Sequence, residues 1–522
     1  MLVLHSHLPF VKHPEFDYFL EEQWLFEAID ECYIPILMLL KRLDDEGVSF
    51  KLTTSMTPPL CEMLSDPELM RKYEKFLNRQ ILLAHKEIER TKDDAAFSKI
   101  TKFYLERYEN IKDFFYKFLN KNILNGYKYF RHKNKIEIIT CAATHGFLPL
   151  MEVNTAAVRS QVAVAVNNYI KHFGEQPKGI WLPECAYCPG IEDILAENGI
   201  KYFFLDAHGV LYSTPRPKYG VFAPVYTKNG VAAFARDISS SKQVWSAEEG
   251  YPGDFYYRDF YRDIGFDLDF DYIKDFISPD GIRVFTGFKY YRITGKNAIK
   301  EPYDRARALE KVSEHAGHFV YERHNQIKRL NELIDRKPLV VSPYDAELFG
   351  HWWFEGPEFL YYVFKYMNES TEIEAISPLE YLKEYPTNQV VELNPSSWGD
   401  KGYYEVWLNG ANDWIYRHIH YMADKMVEYA KFYKNTKNTL RIRILNQMAR
   451  ELLLAQSSDW AFLITTGTST NYATKRTKEH IYNFLRLEDM LTKNYTDEDF
   501  ISKLEHKNSI FQELTFTVYA SS

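Results

Sequence analysis

The sequence is short of cysteine. It has no apolar run near membrane-spanning length, no internal repeat, no low-complexity tract and no surplus of basic residues. Each absence removes a class of protein. The five cysteines, Cys32, Cys61, Cys141, Cys185 and Cys188, are an odd number spread over 522 residues, which argues against a disulfide framework. Cys185-x-x-Cys188 is a lone pair and cannot supply a four-ligand zinc site, so buried thiols at a tight turn are expected there. The opening residues MLVLHSHLPF lack the basic start and apolar stretch of a targeting segment. With no transmembrane-length segment either, a soluble cytoplasmic protein is expected. Lys and Arg number 64 against 72 Asp and Glu, a net charge of −8, so bulk charge points to no nucleic-acid partner.

What is present is a long chain with 46% hydrophobic content, enough for a large core in two or three structural units. Aromatics make up 16%, with 39 Tyr and 36 Phe. Most will be core, yet rings with a polar handle also suit sugar faces. A neutral, polyhydroxyl substrate fits this composition better than a charged one.

Leu2-Val3-Leu4 reads as a buried strand that continues through His5-Ser6-His7 and stops at Pro9. A helical pattern covers Trp24 to Leu43, and Val48 to Thr53 reads as a second strand. From Pro67 to Lys133 the pattern is helical throughout, with Phe103, Tyr104, Tyr108, Ile111, Phe115 and Phe118 at helical spacing. This looks like a helical insertion whose aromatic stripe is ordinary core. Strands are then expected at Ile136–Cys141, Gly179–Leu182, Lys201–Leu205, Val231–Arg236 and Pro338–Ser342, the later ones separated by helices. About seven strands in this rhythm suggest a parallel α/β barrel. After Tyr385 come Trp- and Gly-bearing loops and helices over Asn412–Phe432, Leu440–Ala455 and Lys478–Thr492. Leu514–Tyr519 is either a strand or a frayed end. The expected division is a barrel of residues 1–66 and 134–390, an insertion at 67–133, and a helical C-terminal unit at 391–522.

Five stretches stand out. His5 and His7 are two apart in a strand and so share a face; metal ligands, donors to substrate and satisfied core histidines all fit. Thr144-His145-Gly146 follows a buried strand. In PKGIWLPECAYCPG, Pro183 ends a strand and Glu184 follows at once, where parallel α/β folds carry catalytic groups. Ser342 to Trp353 gathers Asp345, Glu347, His351, Trp352 and Trp353 beside a strand end. Ser396 to Trp414 holds Trp398, Trp407 and Trp414 among Gly, Ser and Asn, as a carbohydrate platform does, although Trp414 also suits a helix N-terminus. Cleaving a glycosidic bond takes two carboxyl groups flanking it. Glu184 with one of Asp345 or Glu347 is the natural pair. His5, His7, His145 and His351 would supply hydrogen bonds to hydroxyls, and Trp398 and Trp407 stacking surfaces.

Together, His5-Ser6-His7-Leu8-Pro9, Ala143-Thr144-His145, Trp181 to Tyr187, Tyr344 to Trp353 and the Trp398–Trp414 region resemble glycoside hydrolase family 57, most closely its branching-enzyme and α-amylase group. They occur in the family's order over nearly the whole chain. The resemblance implies an incomplete (β/α)7 barrel with a helical insertion and an all-helical C-terminal domain. It implies Glu184 as nucleophile and Asp345 as general acid/base in a retaining mechanism, with the carboxyls about 5–5.5 Å apart and Asp345 raised in pKa. It also carries over Arg262, Gly281, Trp398 and Asp459 as substrate contacts. The implied partner is an α-1,4-glucan chain, with no cofactor, no metal, no nucleic acid and no membrane; the oligomeric state stays open. Transfer to a 6-hydroxyl gives an α-1,6 branch, and transfer to water gives hydrolysis.

One stretch departs from the branching pattern. Members that branch carry a tyrosine on a mobile loop over the site, whereas Arg236–Trp245 is short and has none. Tyr251 lies nearby in what reads as a fixed turn. The residues that usually lead into the family's first strand are also missing, which leaves a start upstream of Met1 open. Two further classes share parts of this pattern. A metal-dependent polysaccharide deacetylase would use His5, His7 and His145, but the aspartate pair it needs near the N-terminus is absent. A non-catalytic glycan-binding protein would have no need of Glu184 and Asp345.

Overall fold

The computed structural model describes residues 1–245, 250–295, 298–493 and 495–520. Its strands are β1 (Leu2–Ser6), β2 (Leu52–Met56), β3 (Ile136–Ile139), β4 (Gly179–Ile180), β5 (Tyr202–Leu205), β6 (Val225–Tyr226), β7 (Ala232–Ala235) and β8 (Ser342–Asp345). They form two four-stranded sheets, ordered β3-β2-β1-β8 and β4-β5-β7-β6. Every pairing is parallel except that of β6 with β7. Two backbone links are among the contacts that join the sheets. Thr140 bridges Ile180 in parallel, with Trp181 N–H donating to the Thr140 carbonyl at 2.8 Å. Asp237 N–H donates to the Val341 carbonyl, also at 2.8 Å.

This register builds the site. His5 lies opposite Ser55 on one side and Asp345 on the other. Parallel strands all point the same way, so their C-terminal ends bring His5, Cys141 to His145, Glu184 and Asp345 to one end of the sheets.

Three strand expectations shift. The second strand begins at Leu52, not Val48; its centre is Thr53-Thr54-Ser55, all buried, and polar residues there hide the strand from hydrophobic patterning. The last strand is Ser342–Asp345 rather than Pro338–Ser342. It carries Pro343, which is tolerated because β8 sits at the edge of its sheet and one side needs no donor. Phe516–Ala520 is a 3₁₀ turn, neither strand nor frayed end, with Tyr519 fully buried. The short antiparallel β6 was not expected.

Residues 67–133, expected to be helical, hold α1 (Pro67–Thr91), α2 (Phe97–Lys117) and α3 (Leu124–His132). Asp66 caps α1 by accepting from Glu68 and Leu69 N–H, and Pro67 opens it. Tyr104, Tyr108, Ile111 and Phe115 of α2 are buried, so the stripe is core. Residues 236–245, read as a loop, instead form helix α4 (Ile238–Trp245). It is pinned to β8 by Ser342 Oγ donating to Ser240 Oγ and Tyr344 Oη to the Ser240 carbonyl, both at 2.8 Å. The continuation of that Ser- and Glu-rich stretch, 246–249, lies outside the described residues.

The C-terminal part holds α5 (Trp414–Phe432), α6 (Thr439–Ala455), α7 (Ser458–Thr466) and α8 (Thr470–Thr492). The tight junction between α6 and α7 reaches the sheet ends. Ser458 N–H donates to the His145 carbonyl at 3.1 Å, and the Thr144 hydroxyl donates to the Leu453 carbonyl. No helix among the described residues is long and apolar enough to cross a membrane.

Candidate active site

Pro183 ends the extended run after β4, and the chain turns through a single 3₁₀ turn at Pro183–Cys185. Glu184 and Cys185 sit in the left-handed region, at φ +60° and +50°. His145 does the same at +56°. Such non-glycine residues cost about 1–3 kcal/mol each and persist only where the surroundings hold them. Here Cys185 N–H donates to the Leu182 carbonyl and Tyr187 N–H to the Ser396 carbonyl, both at 2.9 Å.

The Glu184 carboxylate is held from two sides. Trp398 Nε1 donates to Oε2 at 2.8 Å, and Ser458 Oγ donates to Oε1 at 3.2 Å. His145 Nδ1 lies 3.7 Å from the same Oε1 and 2.8 Å from Ser458 Oγ. Behind it, His145 Nε2 and His5 Nε2 share a hydrogen bond of 3.0 Å, and His5 Nδ1 bonds Ser55 Oγ at 3.1 Å. Trp181 stacks on His5 at 4.8 Å, and Trp398 meets Trp181 edge-on at 5.1 Å.

His7 stacks on His145 at 3.8 Å and bonds both oxygens of Asp459 at 3.0 Å. Thr57 Oγ1 takes its other ring nitrogen at 3.0 Å. Burial alone would lower the His7 pKa, but Asp459 raises it above the ordinary value. In return, against the opposing pull of burial, His7 depresses Asp459 to about 2. The two form an ion pair at the lip of the site. His5 and His145, buried and facing other imidazoles, are held neutral.

Asp345 closes the arrangement from β8. Burial, then the carboxylates of Glu347 and Glu184, push it up to about 8. Glu184 is pushed up to about 7 by burial, with Trp398 pulling the other way. Asp345 and Glu347 are two residues apart but serve different ends. Glu347 accepts from Tyr33 Oη at 2.6 Å and from His7 N–H at 3.1 Å, so it positions His7 and faces Asp345 with negative charge.

Tyr33 comes from a π-helical segment, Ile29–Tyr33, set between the helices Glu22–Ala28 and Ile34–Asp45. Such bulges are frequent at functional sites. Its Cys32 Sγ bonds the Ala346 carbonyl at 3.0 Å and its Glu31 bonds His351 Nδ1 at 2.5 Å. Gly350 permits this docking. It has φ +115°, and a Cβ there would stand 1.7 Å from the Glu31 carbonyl oxygen.

Of the residues expected at the site, Glu184, His5, His7, His145, Trp398 and Asp459 fall into one network, with Asp345 beside it. His351 instead anchors the 346–355 turn to Glu31. The stacking surface expected at Trp407 is absent: the ring is 1% exposed, packed on Phe147 at 4.6 Å beneath Gly399. Arg262 pairs with Asp267 at 2.9 Å, and Gly281 makes a surface turn at φ +74°. Neither is hydrogen-bonded to the Glu184 network among the described residues. Ser458, Ser55, Thr57 and Tyr33 were not anticipated; Ser458 alone had a signal, its place in the Ser-Ser-Asp-Trp stretch. A cavity of about 400 Å³ opens beside Trp398, lined by Asp206, His208, Arg236, Lys401 and Tyr403.

The family model for glycosyl hydrolase family 57 matches residues 1–394. The chain belongs to this family. A second model, for the C-terminal region of 1,4-alpha-glucan branching enzymes, matches residues 418–519. The 1,4-alpha-glucan branching enzyme of Thermococcus kodakarensis is 35% identical, over 99% of this chain and 78% of its own length. Two solved structures align over all of this chain. An alpha-amylase from Thermotoga maritima has 47% identity and a TM-score of 0.94, with 99% of its chain covered. A family 57 branching enzyme from Pyrococcus horikoshii has 36% identity and a TM-score of 0.90, with 96% covered. The likeness to both fixes the α/β fold with its helical C-terminal part.

Proposed function

We propose that this family 57 member is a 1,4-alpha-glucan branching enzyme. Glu184 attacks the anomeric carbon of an α-1,4-linked glucan while Asp345 protonates the departing oxygen. A covalent glucosyl-enzyme results. Asp345, now a base, takes the proton from the 6-hydroxyl of an acceptor chain, and an α-1,6 branch forms with retention. The roles follow from surroundings. Glu184 has two donors that stabilise its anion, as a nucleophile needs. Asp345 faces two carboxylates, which favour the protonated acid. Both ring nitrogens of His7 and of His145 are already hydrogen-bonded, so these histidines position Asp459 and Glu184; the Asp459 carboxylate accepts from sugar hydroxyls, and Trp398 both orients Glu184 and borders the open cavity.

The observation that carries branching over hydrolysis is the origin of Ser458 and Asp459. Both lie within the stretch matched by the branching-enzyme C-terminal model, and they contact Glu184 and His7 directly. Hydrolysis is the second reading. It is favoured by the absence of a tyrosine from Arg236–Trp245, most of which is the helix α4 pinned to β8, and by the likeness to the Thermotoga alpha-amylase. Tyr251 does not replace that tyrosine, since its hydroxyl is fixed to His318 Nδ1 at 2.7 Å.

The proposed architecture is the incomplete (β/α)7 barrel, with the two sheets as its arcs, over residues 1–66 and 134–390. Residues 67–133 are the insertion, and 391–522 the helical domain. Five unpaired, buried cysteines support a reducing, cytoplasmic setting. Incubation with amylose followed by an α-1,6-specific debranching enzyme tests the activity. New reducing ends that appear only after debranching are expected; abundant ends before it mean an amylase.

A further inference from the structure

Cys141 has no part in the chemistry above, yet its sulfur is not placed like those of the other cysteines. Its Sγ, a ring nitrogen of His5 and a ring nitrogen of His145 all lie within 4.8 Å of one another, and all three residues are buried. Among the described residues, this is the one such group that contains a thiol. We propose that Cys141, His5 and His145 form a binding site for a soft divalent metal ion, Zn²⁺ or Cd²⁺, whose occupation inhibits the enzyme. This goes beyond the proposed function, which uses no metal.

Three observations carry the proposal. First, the donor set is right. One thiolate and two imidazoles are the ligands such ions take, at about 2.3 Å for sulfur and about 2.0–2.1 Å for nitrogen. The two Nε2 atoms are already 3.0 Å apart, so an ion between them needs only a small opening of the pair. Second, the outer shell is in place. A ligating histidine directs its other N–H to an oxygen that fixes its tautomer. When the Nε2–Nε2 hydrogen bond opens, His5 with its Nδ1–H on Ser55 Oγ (3.1 Å) and His145 with its Nδ1–H on Ser458 Oγ (2.8 Å) both present an Nε2 lone pair to the ion. Third, an entry route exists. His7 and Asp459, with His145, make a second group of potential ligands. The His7 and Asp459 side chains are 11% and 16% exposed, and His145 belongs to both groups, so the outer group joins the buried set to side chains that solvent reaches. Burial also keeps both inner imidazoles neutral, the form that ligates.

Binding expels the thiol proton to solvent, leaving a metal–thiolate bond with no change of oxidation state, so affinity rises with pH. Inhibition follows from position. An ion at Nε2 parts the two rings; His145 Nδ1 bonds Ser458 Oγ at 2.8 Å, and Ser458 Oγ donates to Glu184 Oε1 at 3.2 Å, so the shift carries through Ser458 and misplaces the nucleophile.

The probe is Cd²⁺, followed through its ultraviolet sulfur-to-metal charge-transfer band, with Zn²⁺ inhibition of glucan turnover measured in parallel. The wild-type chain should show the band at one ion per chain and lose activity reversibly, recovering with a chelator. Cys141→Ser should keep its basal activity, lose the band and need at least about tenfold more Zn²⁺ for half-inhibition, since even second-shell changes cost about 10–100-fold in affinity. If the serine variant unfolds, Cys141→Ala, with its thermal melt checked, gives the same readout. A wild-type chain with no band, or a band or zinc sensitivity unchanged in the variant, overturns the proposal. The optical titration reads the site whichever reaction the enzyme catalyses, so its failure is distinct from failure of the functional assignment.

Discussion

Trp398 holds Glu184 at both ends. Its indole N–H donates to the carboxylate at 2.8 Å, and its backbone N–H donates to the Glu184 carbonyl at 3.0 Å. One residue from the far side of the chain thus fixes both the strained turn and the direction of the side chain it carries.

Trp398→Phe keeps an aromatic side chain and deletes the indole donor. A hydrogen bond to a charged group contributes about 1.5–3 kcal/mol, so kcat on amylose should fall about 10–100-fold. The lost donor favoured the anion, so the Glu184 pKa should rise and the acidic limb of the pH–rate profile should move to higher pH. A kcat that falls with no movement of that limb would count against the role given to the indole.

Glu347→Gln tests the charge around Asp345. The Glu347 carboxylate is second only to burial in raising Asp345. Removing its charge lowers the Asp345 pKa, so the acid is lost earlier and the alkaline limb should shift to lower pH. Steady-state rates over the pH range measure this directly.

Asp459→Asn breaks the pair with His7. Asp459, depressed to about 2, adds stability that is present above its unfolded value of about 3.9 and is lost as pH falls through about 2. His7, raised, adds stability that is present below about 6.5 and is lost as pH climbs through its folded value. The wild-type advantage should therefore be largest between about pH 4 and 6.5, on the order of 2 kcal/mol, and shrink towards pH 2. Urea denaturation at pH 3 and pH 6 compares the two.

Much of the site was legible in the sequence because its chemistry sits on local signals. Glu184 follows a proline that ends a strand, and Asp345 ends another in a dense polar cluster. The His5-x-His7 spacing fixes a shared face by strand geometry alone. What sequence could not supply was the tertiary pairing. Ser458 and Asp459 meet Glu184 and His7 across more than 270 residues of chain. The π-helical segment that brings Tyr33 to Glu347 has no pattern distinct from an ordinary helix. Trp407 was misplaced because a tryptophan among Gly and Asn reads as exposed, while Gly399 in fact clears space for it to be buried. The strand at Leu52–Met56 was displaced because its centre is hydroxyl-bearing rather than apolar.

The direct test of the Glu184–Asp345 pair is to trap the intermediate. In Asp345→Asn, with a maltosyl fluoride donor whose leaving group needs no acid, formation of the glucosyl-enzyme should outrun its breakdown. Mass spectrometry of the digested protein should then find the sugar on the peptide spanning Pro183 to Tyr187, attached to Glu184. A label on Glu347, or steady turnover with inversion at the anomeric carbon and no labelled peptide, would contradict the assignment.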